Sequence, residues 1–140
     1  MKGAHLDLET ALKDFPVELR GAKPSGAPYS AWQLLEHMRI AQEDILDFSR
    51  NPNYKDKKWP DDYWPANAAP PNDHAWAKSI QQFDADLHQL QELVADTKND
   101  LLLKLPHGTG QTLLREALLV ADHNSYHLGQ LVLLRKMLEA

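Results

Sequence analysis

No cysteine occurs in this chain of 140 residues, so it makes no disulfide, holds no thiolate-ligated zinc and carries no thiol nucleophile of its own. That composition fits a reducing compartment, and the cytoplasm is the expected location. Any sulfur chemistry has to come from a cosubstrate. A basic surplus is missing too: 15 Lys and Arg stand against 20 Asp and Glu, a formal charge of -5. Apart from Lys55, Lys57 and Lys58 the cations are scattered, so the electrostatic footprint of a nucleic-acid binder is absent. The opening MKGAHLDLETALKDF has no long uncharged apolar run and reads neither as a signal peptide nor as a membrane span. Nucleic acid and membrane are therefore not expected as partners. Nor does any stretch alternate long enough to argue for a strand.

What is present is a globular composition, 43% hydrophobic and 25% charged, of a length that buries a core without staples. A single domain over 1–140 is expected. Four segments carry helical period. The first spans residues 4–19, with Leu8, Leu12, Phe15 and Leu19 three or four apart. GAKPSGAP then breaks the chain, and Ser30 followed by Gln33 resembles a capping box. The second helix carries the stripe Leu34, Met38, Ala41, Ile45 and Phe48. The third, over about 73–97, is in register at Trp76, Ile80, Phe83, Leu87, Leu90 and Val94. The last runs over about 112–138, with Leu113, Ala117, Val120, Leu131, Leu134 and Leu138 along one broad face.

Residues 51–72 differ in character. Pro52, Pro60, Pro65, Pro70 and Pro71 rule out continuous helix, while Tyr54, Trp59, Tyr63 and Trp64 are too many aromatics for a plain linker. A crossover of this length either covers a site or fills the flank of the fold. The pattern is all-α: a four-helix bundle in which the long connection lets helices 2 and 3 run parallel.

Chemistry concentrates in HNSYH of the last helix. His123 and His127 are four residues apart, so their side chains stand one above the other, on the stripe that holds Val120, Leu131 and Leu134. A buried imidazole pair needs a partner, since an unpaired buried polar group costs on the order of 1–3 kcal/mol. A metal ion would satisfy both. His37, three after Leu34 and four before Ala41, also faces the core. Taken alone it reads first as a core histidine bonded to a carbonyl or carboxylate. His5 lies near the terminus, His74 at a helix start, His88 on a polar face and His107 in a loop. Asp122, Asn124 and Gln130 either support the pair or are ordinary solvated and packing groups.

YSAWQLLEHMRIAQEDIL and, after a long gap, GTGQTLLREALLVADHNSYHLGQLVLLRKML resemble the DinB-like family. Its pattern is a Trp opening the second helix, a His one and a half turns later, and HxxxHxGQ in the last helix. Trp32, His37, His123, His127, Gly129 and Gln130 match it. The resemblance implies an up-down-down-up bundle, a three-histidine site for a divalent metal such as zinc or nickel, and a homodimer. Some family members resemble thiol-dependent transferases and isomerases that use a low-molecular-weight thiol such as bacillithiol or mycothiol. A metal-dependent S-transferase or hydrolase is therefore expected, with no catalytic side chain assigned. Trp32, Trp59, Trp64, Asn124 and Gln130 are the expected surroundings of the metal, Trp59 and Trp64 as a roof over its pocket. A non-catalytic metal-binding or stress-response bundle is the alternative. A di-iron carboxylate bundle is set aside because no Glu-x-x-His occurs.

Overall fold

The computed structural model describes residues 3–140; Met1 and Lys2, which begin the N-terminal stretch read above, lie outside them. Asp7 caps the first helix by accepting from the Thr10 amide at 2.8 Å, and α1 (Leu8–Leu12) is only five residues long. The helix expected over 4–19 stops early for a local reason. Asp14 takes a left-handed backbone (φ 51°), and Pro16 has no N–H with which to continue. The stripe outlives the break, because Phe15 is buried and Leu19, in a 3₁₀ turn (Val17–Leu19), packs against the same core.

The three long helices begin on the caps their sequences supply. Ser30 and Gln33 close a reciprocal capping box at the head of α2 (Ala31–Arg50). The Asn72 side chain accepts from the Ala75 amide for α3 (Asp73–Ala95), and that of Thr112 accepts from the Arg115 amide for α4 (Leu113–Leu138). Among the described residues the only β-type pairing is an isolated bridge between Lys104 and Thr112. This is an all-α four-helix bundle.

Its topology follows from side-chain partners. Glu36 meets Ser79, Gln42 meets the Phe83 carbonyl and Arg50 meets Gln89, so both chains ascend together and α2 and α3 are parallel. The crossover at 51–72 makes that possible. Helix α4 runs against them, since His37 faces His127 while Gln42 faces Asn124.

The interior has two apolar clusters. The larger gathers α1, the start of α2 and the end of α4 around Leu35, Met38, Trp76, Phe83 and Leu131. The smaller, at the opposite end, is built on Leu46, Leu90 and Val120. Between them on α2 and α4 lie His37, Gln42, Asp44, His123, Asn124 and His127. No helix among the described residues is long and apolar enough to cross a membrane.

Candidate metal centre

Helical phase brings His123 and His127 onto one side of α4, and antiparallel packing sets His37 of α2 opposite them. The His37 Nε2 lies 3.1 Å from that of His123 and 3.2 Å from that of His127. These three rings form a group that can hold a metal ion, one ligand atom from each.

The proton positions sharpen the point. His37 Nδ1 is 2.9 Å from the Tyr63 carbonyl, which can only accept, so the proton sits on Nδ1 and Nε2 presents a lone pair. His127 Nδ1 donates to Gln130 Oε1 at 2.7 Å, which bares its Nε2 as well. Two bare nitrogens therefore point at each other across 3.2 Å. His123 has one Nε2 proton to offer and cannot serve both. A cation at the common point would satisfy all three. Tetrahedral ligation by imidazole at ~2.0–2.1 Å spaces nitrogens about 3.3 Å apart, close to the 3.1 and 3.2 Å that separate His37 from the other two.

Burial favours the neutral, ligating form. It holds the imidazole of His37 down at about 4, against a weaker opposing effect of the Tyr63 carbonyl. His123 is pushed to about 4 by burial and then by its two imidazole neighbours. His127 is lowered by burial, with Gln130 opposing.

The crossover supplies the surroundings. The Trp64 ring lies flat on His37, with centroids 3.7 Å apart and 3° between planes, and Tyr29 stacks in turn on Trp64. Trp59 stands edge-on to His37 at 6.4 Å and is 70% exposed. The Trp59–Pro60 peptide bond is cis. Gln130 touches His127, whereas the Asn124 amide donates to Gln42 and has no hydrogen bond to the histidines. Trp32 is buried in the larger apolar cluster, and Asp122 is exposed. His5, His74 and His88 are exposed, and the His107 ring bonds the Phe48 carbonyl.

Asp44 was not singled out by the sequence pattern. It is 8% exposed and accepts from the hydroxyls of Tyr54 at 2.9 Å and Tyr63 at 2.6 Å. It thereby bolts the crossover to α2 one residue's length from the Tyr63 carbonyl that orients His37. Burial, then the bond to Asp44, pushes the Tyr63 hydroxyl up to about 12, so it remains a donor. The available signal was spacing: Asp44 is seven residues after His37, on the same face of α2. Asp44→Asn leaves one side-chain acceptor for two hydroxyls. We expect a loss of about 1–3 kcal/mol in urea unfolding, with faster amide exchange confined to the crossover. An unchanged midpoint would show that the two bonds contribute nothing.

A family model described as the DinB superfamily matches residues 3–131 of this chain. No curated protein and no solved structure matches it.

Proposed function

The chain belongs to the DinB superfamily, and on that premise we propose that it is a metal-dependent enzyme in which His37, His123 and His127 hold one divalent cation, zinc or nickel. The observation that carries this reading is the meeting of three Nε2 atoms, two of them bared by acceptors behind their rings. When bound, such a cation supplies Lewis-acid polarisation and lowers the pKa of a water or thiol in its remaining coordination position. The protein's own part is orientation and exclusion of water. Tyr63 and Gln130 fix two rings, Trp64 covers one face of His37, and Trp59 stands at the exposed edge. The reaction we infer is S-transfer or hydrolysis in the cytoplasm, with a low-molecular-weight thiol as cosubstrate.

Metal analysis of tag-free protein tests the centre. We expect about one equivalent of zinc or nickel per chain, whereas wild type that stays metal-free after supplementation with both would sink the reading. Gln130→Ala removes the acceptor behind His127 and should weaken metal binding roughly 10–100-fold, as for other groups that orient a ligand. If metal is bound, a screen of thiols with electrophilic acceptors separates a transferase from the non-catalytic alternative.

We also propose a homodimer through α4. One side of it exposes Leu118, Ala121, Ser125, Gly129 and Leu133, with the exposed Leu114 and Met137 farther round the helix at its two ends. The spacing is nearly symmetric about Ser125, as an interface between two antiparallel copies of α4 requires. Leu118→Arg should convert a dimer to a monomer in solution scattering at micromolar concentration; a wild-type monomer would refute the proposal.

A further inference from the structure

The three converging nitrogens are closed off on most sides. Trp64 covers His37, the Tyr63 backbone lies behind it, and His127 is buried against Gln130. One open approach is a cavity of about 360 Å³ that reaches His37 and His123 between α2, α4 and the crossover. Ala41, Ile45 and Leu119 form its apolar side, and the Trp59 ring forms the edge nearest solvent. A volume of that order suits a small organic molecule rather than a polymer.

The polar groups of this cavity are unequal. Asp44 has both oxygens engaged by Tyr54 and Tyr63, and the Tyr63 hydroxyl is spent on Asp44. Lys57 also lines the cavity and has no side-chain hydrogen bond or ion pair among the described residues. Among the described residues no carboxylate lies within ion-pair distance of its ammonium, and Asp62 accepts from the Lys58 amide instead. Asp44 keeps its charge but has both oxygens turned to hydroxyl donors, so Lys57 is the lining charge left without a partner, and at the mouth of the site it selects for negative charge. The indole of Trp59 and the aliphatic wall across from it select for a flat apolar body.

We propose that the substrate of this site is a small anion with a flat apolar body, its charge met by Lys57 and its body held between Trp59 and the Ile45 and Leu119 wall. The inference rests on the metal-centre reading above, because it takes the open side of that centre as the place of reaction.

The test compares two probes of one shape, phenylacetate and phenylacetamide, by NMR titration of the zinc-loaded protein and again of the metal-free protein. Wild type should prefer phenylacetate in both forms. Lys57→Gln should weaken phenylacetate about fivefold, the upper range for an exposed ion pair, and leave phenylacetamide unchanged. Lys57→Arg should keep the preference, and Trp59→Ala should weaken both probes. A preference unmoved by Lys57→Gln in either form, or no binding of either probe at millimolar concentration, overturns the proposal. Failure to take up zinc overturns the metal reading instead, and the metal-free arm still decides the role of Lys57.

Discussion

Replacing His37 by alanine should lower zinc affinity by roughly 10²–10³. A structural zinc site of four ligands is worth about 10–16 kcal/mol, or about 2.5–4 kcal/mol per ligand, and each 1.4 kcal/mol is tenfold. His37 is the informative choice because it is the only one of the three on α2. His123 and His127 would remain a chelating pair on α4, but the closure across the bundle, 3.1 and 3.2 Å from His37 Nε2, would be gone. The cleanest readout is thermal. At free zinc about 100 times the dissociation constant, wild type should gain about 2.7 kcal/mol, on the order of 10 °C in melting temperature. At that same concentration the variant should gain almost nothing. His88→Ala serves as the control, since His88 is exposed and, among the described residues, pairs only with Glu92 on its own helix. A His37→Ala protein that keeps the wild-type thermal shift would remove His37 from the centre.

The centre was legible in the sequence to the extent that it depends on helical phase. The i, i+4 spacing puts His123 and His127 together whatever α4 packs against, and His37 faces inward because Leu34 and Ala41 do. Phase within one helix carries no information about a neighbour, so the meeting of α2 with α4 came only from the family resemblance. The groups behind the rings were harder to read. The Tyr63 contact is made by a backbone carbonyl, which every residue possesses, from a proline-rich segment without period. Asn124 and Gln130 looked alike as polar neighbours of the pair, yet Gln130 turns back onto His127 while Asn124 reaches across to Gln42. That distinction depends on tertiary neighbours. The same holds for α1, where an intact apolar stripe concealed a chain break: hydrophobic spacing records which side chains are buried, and a turn at Asp14 and Pro16 preserves it. The crossover lays Trp64 on His37 and is fastened to α2 through Tyr54 and Tyr63.

Leu46→Ala should cost about 2–5 kcal/mol and leave the chemistry of the centre in place. Leu46 is 1% exposed, and its cluster has only two other fully buried members, Leu90 and Val120, one from each of the other long helices. Removing three carbons there leaves a cavity that three helices would have to shift to fill. The larger cluster meets this one through Leu87, which packs against both, while Gln42, Asp44 and Asn124 lie between the two on α2 and α4 and tie α2 to α3, to the crossover and to α4. For a domain whose total stability is about 5–15 kcal/mol, the loss would lower the melting temperature by roughly 10 °C or more. Zinc should still raise that temperature by about as much as it does in wild type, because Leu46 itself is not among the residues that line the histidine cavity. Measured together, the two variants separate fold from site: His37→Ala abolishes the zinc-induced shift, whereas Leu46→Ala lowers the baseline and keeps the shift. A loss of under about 1 kcal/mol would mean that this end of the bundle is held by its polar layer rather than by its apolar cluster.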